Sequence, residues 1–146
     1  MNINPDEELE SSFLPVYTLF RSILYSDYGR KNAKYTKTQI AVLVALYWQN
    51  EMCMSQIAEL ISSPRAQMTR AINPLVNDGL IERFINSSNR KLVYIRLTDA
   101  GNLFITNYLR NRFEMLREKV NKEESAKLVE AAQTIVTILK RVRNES

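Results

Sequence analysis

The sequence predicts a mainly α-helical fold with a small β component (an α+β chain), in which one β-hairpin follows two short helices. Apolar residues recur every three or four positions over most of the 146 residues, which is the helical period. Two segments, 80–85 and 92–97, instead alternate and are rich in β-branched and aromatic residues, as strands are. The chain holds only three glycines and four prolines, so long helices are expected.

The first half of the chain predicts three helices and a short strand. Pro15 kinks the first helix or marks its start, and the apolar face of that helix holds Leu9, Phe13, Val16, Phe20, Ile23 and Leu24. A second helix is expected to open with a Thr36–Gln39 capping box and to end at Asn50. Its expected buried stripe consists of Ile40, Leu43, Val44 and Tyr47. Residues 52–54 are expected to form a short strand and 55–61 a short helix.

The next helix is expected to begin at Ser63, as N-cap, with Pro64 in the first helical position. Its core-facing residues are Met68, Ala71, Ile72 and Leu75, and its opposite face is polar. Pro74 removes one intrahelical bond to Arg70 and predicts a bent or irregular last turn. The helix should stop at Asp78-Gly79, where glycine tolerates the left-handed conformation.

A hairpin and two long helices complete the expected order of elements. The hairpin joins the two alternating segments through the polar run 86–91. Thr98 is expected to cap one long helix, and Asn121 with Glu124 the last. The last helix carries a coiled-coil-like apolar seam, made of Leu128, Ala131, Ile135, Ile138 and Val142.

The net charge of +4 is concentrated in one segment. Between Pro64 and Arg96 lie six basic and two acidic residues, whereas the remaining 14 basic and 14 acidic residues balance. A local basic patch on a neutral chain is expected of a protein that neutralises phosphates. Arg83 and Arg96 contribute less to this patch if they pair with Glu82 or Asp78.

The residues that are missing argue against an enzyme. The chain has no histidine and one cysteine, Cys53, so the commonest general base and a thiolate metal cluster are both absent. No cofactor or metal is expected, and Cys53 reads as a small buried hydrophobe rather than a redox sensor. The acidic N-terminus lacks the apolar core of a signal peptide, and no apolar run could span a bilayer. We therefore expect a cytoplasmic protein without a membrane partner.

Several short motifs stand in the same order and register as in a known family. They are Thr36 with Gln39, Ile57-Ala58-Glu59-Leu60, Met68-Thr69-Arg70, Gly79-Leu80-Ile81-Glu82-Arg83, Asn89-Arg90-Lys91 and Leu97-Thr98-Asp99-Ala100-Gly101. On these residues the chain resembles the MarR family, the multiple-antibiotic-resistance regulators of bacteria. The resemblance implies one MarR-like domain over 1–146, a winged helix-turn-helix over 36–101, and dimerisation helices over 6–35 and 99–143.

The resemblance also implies a function. Such a homodimer would bind a pseudo-palindromic operator in double-stranded DNA, most often as a transcriptional repressor, with one helix in the major groove and a wing arginine in the minor groove. The residues at those positions are Ser63, Arg65, Ala66, Gln67, Thr69, Arg70 and Asn73 on the helix, and Asn89, Arg90 and Lys91 on the wing. An alternative is a winged helix that binds another protein and no DNA, which would carry apolar anchors on that helix.

Aromatic residues near the junction between the N-terminal helix and the winged helix bear on regulation. The resemblance implies a possible effector site here, since many members of the MarR family bind small aromatic anions near this junction and lose DNA affinity. The corresponding candidates here are Tyr17, Arg21, Tyr25, Tyr47 and Trp48. The alternative is that aromatic residues at helical spacing only fill the core.

Overall fold

A computed structural model describes residues 7–26 and 33–144 of the chain. Residue 6 and residues 27–32, part of the expected N-terminal dimerisation segment, lie outside the described residues. The described elements are, in order, α1 Glu8–Leu24, α2 Lys37–Gln49, β1 Glu51–Cys53, α3 Met54–Ile61, α4 Arg65–Asn77, β2 Ile81–Ile85, β3 Val93–Leu97, α5 Asp99–Lys119 and α6 Lys122–Asn144. The predicted mainly helical α+β fold is confirmed. The chain divides into two compact units, one ending at Arg112 and one beginning at Phe113.

The core of the first unit forms where α2, α3 and α4 pack on the sheet. Its fully buried side chains include Leu43, Leu46, Ile57, Met68 and Ile72. The predicted capping box is confirmed at the start of α2: the Thr36 hydroxyl accepts the Gln39 backbone N–H at 3.2 Å, and the Gln39 side chain accepts the Thr36 N–H at 2.9 Å.

The predicted buried stripe of α2 was partly wrong. Tyr47 remains 45% exposed, because the buried face is centred one position earlier, on Gln39, Val42, Leu43 and Leu46. Gln39 is drawn inward since its Nε2 donates to the Ala71 carbonyl oxygen at 3.2 Å. That bond satisfies a buried amide and joins α2 to α4.

The three strands form one antiparallel sheet in the order β1-β3-β2. The predicted hairpin and a short strand are both present, but β1 spans Glu51–Cys53 and not 52–54, because Met54 already belongs to α3. The register pairs Ile81 with Leu97 and Met52 with Ile95. These four side chains are buried, so they belong to the core. The alternate residues Glu51, Glu82 and Arg96 are exposed, whereas Cys53 is buried.

The start of α5 is fastened to the turn before β2. The Thr98 hydroxyl accepts the Gly101 N–H at 3.0 Å, which confirms the predicted cap, and the Thr98 N–H donates to the Leu80 carbonyl at 3.0 Å. Further along α5, the Tyr108 hydroxyl donates to the Leu24 carbonyl at 2.6 Å. α5 therefore contacts both the winged helix and the end of α1.

α1 and α6 contain no buried residue. Pro15 lies inside α1, so it does not mark the start of that helix. The predicted cap of α6 is confirmed, with reciprocal bonds of 3.0 and 2.9 Å between Asn121 and Glu124. Each helix exposes large apolar side chains: Leu9, Phe13, Leu14, Val16, Leu19 and Phe20 on α1, and Leu128, Val129, Val136, Ile138, Leu139 and Val142 on α6.

Candidate nucleic-acid interface

α4 presents a polar face to solvent because its apolar face is locked into the core. The predicted core residues Met68, Ala71, Ile72 and Leu75 are all buried. The expected contact residues on the opposite side are exposed, namely Arg65, Ala66, Gln67, Thr69, Arg70 and Asn73. All of these side chains except that of Ala66 offer hydrogen-bond donors or positive charge, which suits phosphates and base edges.

A tight turn sets α4 against α3, as in a helix-turn-helix. Ser62 adopts the left-handed conformation, and the Ser63 N–H returns to the Ala58 carbonyl at 2.9 Å. The prediction that Ser63 caps α4 was wrong. Pro64 is the N-cap, since its carbonyl accepts the first helical bond from Met68 at 3.1 Å, and no side chain caps this end.

Two side chains on the polar face of α4 are engaged by the protein itself. The Thr69 hydroxyl donates to the Arg65 carbonyl at 3.2 Å, a back-bond that orients the hydroxyl along its own helix. Asn73 accepts a hydrogen bond through Oδ1 from the guanidinium of Arg83 on β2. Arg83 thus pairs with the side-chain amide of Asn73. The sequence had instead suggested a carboxylate partner for Arg83, either Glu82 or Asp78.

The wing loop is built from two consecutive asparagine turns. The Asn86 side-chain oxygen accepts from the Ser88 backbone N–H at 3.0 Å and from its hydroxyl at 2.8 Å. The Asn89 side-chain oxygen accepts from the Lys91 N–H at 3.2 Å. Asparagine side chains replace missing backbone partners in such turns, so the loop that carries the exposed Arg90 and Lys91 is held by its own residues.

The two carboxylates of the basic segment are both committed to partners. Glu82 accepts from Arg96 at 2.5 Å, and the Arg96 guanidinium also covers the Phe84 ring at 4.4 Å. Asp78 accepts the Tyr35 hydroxyl at 2.7 Å and lies 3.5 Å from the Lys34 ammonium. Both carboxylates of this segment therefore bind these partners and do not pair with the arginines of α4.

The Tyr35–Asp78 contact fixes the C-terminal end of α4. Its hydrogen bond, aided by Lys34, holds the pKa of the Asp78 carboxyl below its ordinary value. Burial, together with the bond to Asp78, raises the pKa of the Tyr35 hydroxyl. Tyr35 also packs edge-on against Phe104 of α5, with 5.1 Å between ring centroids. The end of α4 is thus joined to the segment before α2 and to α5.

A cavity of about 520 Å³ lies between α1, α2 and α3. Four of the five effector candidates line it, Tyr17, Arg21, Tyr25 and Trp48; Tyr47 does not. The cation of Arg21 donates to the Tyr17 hydroxyl at 2.7 Å and lies 5.9 Å from the centroids of the Tyr17 and Tyr25 rings. Sequence reasoning missed a second cationic lining residue, Lys37, because it lies far along the chain from Arg21.

Cys53 is buried, as expected of a small hydrophobe. Burial by itself would raise the pKa of its thiol, but hydrogen bonds from Ser55 and from nearby backbone groups lower it overall. Among residues 7–26 and 33–144, no cluster of histidine, cysteine, aspartate or glutamate could hold a metal ion. No helix in this described part of the chain is long and apolar enough to cross a membrane.

Comparison with known proteins finds similarity to one family over part of the chain. The sequence model of the MarR family matches residues 35–93. Two curated relatives from Bacillus subtilis (strain 168) are described as uncharacterized HTH-type transcriptional regulators. YdgJ is 21% identical to this chain over 109 residues, which cover 75% of this chain and 64% of YdgJ. YhjH is 33% identical over 75 residues, which cover 51% of this chain and 42% of YhjH. The matches therefore span less than two thirds of either relative.

Solved structures agree on the fold over most of the chain. Wild-type apo MarR from E. coli superposes with a TM-score of 0.65 at 19% identity, over 92% of this chain and 98% of that one. A mutant MepR from a multidrug-resistant clinical isolate of S. aureus gives a TM-score of 0.69 at 16% identity, over 89% and 96%. At such identities the likeness establishes the winged-helix fold.

Proposed function

We propose that the chain is a member of the MarR family and a sequence-specific DNA-binding regulator that acts as a repressor. The curated relatives are described as transcriptional regulators and not as enzymes. The observation that carries the proposal is the outer face of α4, where Arg65, Gln67 and Arg70 are exposed while the opposite face is buried. The proposal places the protein in the cytoplasm of a bacterium, where such a regulator would reach chromosomal DNA.

The helix and the wing would contribute different interactions. Residues of α4 would enter the major groove, where an arginine such as Arg70 can make two hydrogen bonds to guanine. Arg90, on the wing loop, would reach into the minor groove, whose narrow A·T-rich stretches attract arginine. Thus α4 would contact the bases, whereas the wing residues Asn89, Arg90 and Lys91 would recognise groove width and contact phosphates.

We propose that the working form is a homodimer. α6 and α1 each expose six or more large apolar side chains, which is typical of a surface that a partner covers. Fully burying one such side chain is worth about 1.5–3 kcal/mol. A second copy of the chain would cover both helices and would place two α4 helices about one turn of DNA apart, roughly 10 base pairs. Sedimentation at sub-micromolar concentration tests this, since a stable monomer would exclude the two-fold operator.

The cavity beside α1 is the proposed effector site. Its lining combines aromatic rings with two cations, Arg21 and Lys37, and includes no acidic residue among those the structure describes. That chemistry favours a small aromatic anion, which would stack on Tyr17 or Trp48 and pair with a cation. Occupation of the site would release the operator by favouring a conformation with lower DNA affinity.

A protein-binding winged helix without DNA affinity is the alternative. Anchors at protein interfaces are commonly aromatic or aliphatic side chains in the centre of the patch. The apolar residues that α4 exposes are Ala66 and Pro74, which are small and offer no aromatic or long aliphatic anchor, so duplex DNA is the better-matched partner.

Salt titration of two variants tests the proposal. Duplexes are selected by the wild-type protein from a randomised pool, and a scrambled duplex serves as reference. Arg90→Ala should make the slope of log affinity against log salt shallower by about 2 per dimer on both duplexes, since each phosphate contributes about 0.9. Arg70→Ala should cost about 1–3 kcal/mol per contact on the selected duplex and much less on the scrambled one.

The control is Lys127→Ala, which removes one exposed charge on α6, outside α4 and the wing. It should leave both slopes unchanged. Equal weakening of the two duplexes by Arg70→Ala would make Arg70 a phosphate contact and would refute base reading by α4 at that position. Absence of any binding at low salt would favour the protein-binding alternative.

A further inference from the structure

Arg83 reaches from the sheet to the outer face of α4. It lies on β2, where its backbone pairs with Ile95 in the ladder, and its guanidinium donates to Oδ1 of Asn73. Both side chains are exposed. A residue of the sheet thus adds a cation to the polar face of the helix, beside the turn that carries Arg70.

The positive charge of Arg83 is not neutralised by this contact. An amide orients a guanidinium but carries no charge to oppose it. The nearest carboxylates in sequence are engaged elsewhere: Glu82 with Arg96, and Asp78 with Tyr35 and Lys34. A guanidinium has five N–H donors in a planar fork, so a bond to Asn73 leaves capacity for a two-pronged contact with phosphate oxygens.

The same bond changes the role available to Asn73. Reading adenine with both ends of an asparagine needs Oδ1 as acceptor and Nδ2 as donor. Here Oδ1 faces Arg83, and the flipped amide would place Nδ2 donors against guanidinium donors, which is unfavourable. Asn73 is therefore set to hold Arg83 and not to make that paired contact with adenine.

We propose that Arg83 is a further DNA-contacting residue, a phosphate contact beside α4, and that Asn73 is its positioning residue. The inference rests on the proposed DNA-binding function and adds a residue outside the helix and the wing loop. It reassigns Asn73 from reading a base to orienting a cation.

The experiment measures affinity against salt on a random-sequence duplex of about 30 base pairs and on a duplex selected by the wild-type protein. Arg83→Ala should make the slope shallower by about 2 per dimer on both. Between about 50 and 200 mM salt, the wild type should then lose about 12-fold more affinity than the variant. Arg83→Lys keeps the charge and should keep the slope, while Lys127→Ala, the charge-matched control on α6, should not alter it.

Asn73 is tested in the same titrations. Asn73→Ala should weaken both duplexes by similar factors, and the double variant should bind no more weakly than Arg83→Ala alone, because both changes disable one contact. Loss confined to the selected duplex, adding fully to that of Arg83→Ala, would overturn the positioning role. Circular dichroism checks each fold, and Arg83→Gln replaces Arg83→Ala if the latter fails to fold.

The two proposals fail in different ways. If the wild type binds both duplexes and Arg83→Ala leaves the slope unchanged, Arg83 does not contact phosphate and DNA binding stands. If the wild type binds no duplex at low salt, the proposed function fails and the inference fails with it.

Discussion

Replacing Gly101 by alanine tests how closely the start of α5 is held against the turn before β2. An added Cβ would lie 2.0 Å from the Leu80 carbonyl oxygen, 2.9 Å from its carbonyl carbon and 3.2 Å from Cδ2 of Leu97. Since the two nearest atoms are backbone, no side-chain rotation relieves the overlap. α5 and the turn would have to separate by more than about 1 Å to restore ordinary contact distances.

The expected loss of stability follows from the contacts that this separation disturbs. An extra carbon forced into a well-packed site costs about 1–3 kcal/mol, and the hydrogen bonds of Thr98 to Leu80 and to Gly101 contribute about 1 kcal/mol each. The better helix propensity of alanine offsets about 1 kcal/mol. A net destabilisation of about 2–4 kcal/mol remains, which lowers Tm by roughly 10 °C in a chain of this length.

Thermal and urea unfolding followed by circular dichroism measure the effect, and Gly79→Ala is the matched control. Gly79 has φ +74°, and no atom of the described residues lies within 4 Å of an added Cβ, so its substitution should cost only the strain of a left-handed residue, about 1–2 kcal/mol. Gly101→Ala should be the less stable variant. A Tm within about 2 °C of the wild type, or above that of Gly79→Ala, would refute the close approach of α5 to Leu80.

Two further outcomes are expected. Tyr35→Phe should lower Tm at neutral pH, and the difference in Tm from wild type should shrink as the pH falls. The Tyr35 hydrogen bond lowers the pKa of the Asp78 carboxyl. The stability that this bond contributes is therefore present above the ordinary pKa of an aspartate and is lost as Asp78 protonates. A pH-independent difference would contradict this coupling. The fluorescence emission of Trp48, the single tryptophan, should change when benzoate binds. Arg21→Ala should weaken benzoate binding by about tenfold, and the neutral isostere benzamide should bind less well than benzoate. Equal binding of both compounds would exclude the cationic contact.

Features that depend on neighbouring residues in the chain were predictable from the sequence. Met68, Ala71, Ile72 and Leu75 recur at the helical period, so their burial followed from periodicity. The caps at Thr36 and Asn121 are closed by side chains three residues apart, a distance over which sequence patterns are informative.

Tyr47 fails as a prediction because the same periodicity fixes a face only to within about one position. Its burial depended on whether the buried face of α2 was centred on Leu43 and Val44 or on Val42 and Leu43. The second arrangement is observed, because the Gln39 side chain is buried and its Nε2 donates to the carbonyl oxygen of Ala71, 32 residues away. This contact could not be predicted from the sequence. A polar residue that forms a buried hydrogen bond can thus change which side of a helix faces the core.

Pro74 illustrates how tertiary contacts override a local helix breaker. Proline has no N–H for the Arg70 carbonyl and disfavours a helix interior, yet α4 continues to Asn77. The last turn is held from outside the helix: Leu75 is buried in the core, and Asp78 is bound by Tyr35, 43 residues earlier. Arg83 adds a third contact at Asn73.

The consequences of these outside contacts reach the candidate DNA surface. Arg70 and Asn73 lie on the turns whose regular hydrogen bonding is interrupted by Pro74, so their placement depends on partners in β2 and before α2. A helix held only by its own backbone hydrogen bonds would expose the same residues whatever elements packed against it. Here the orientation of the polar face depends on Tyr35 and Arg83 as well, which is why substitutions outside α4 are expected to alter DNA binding.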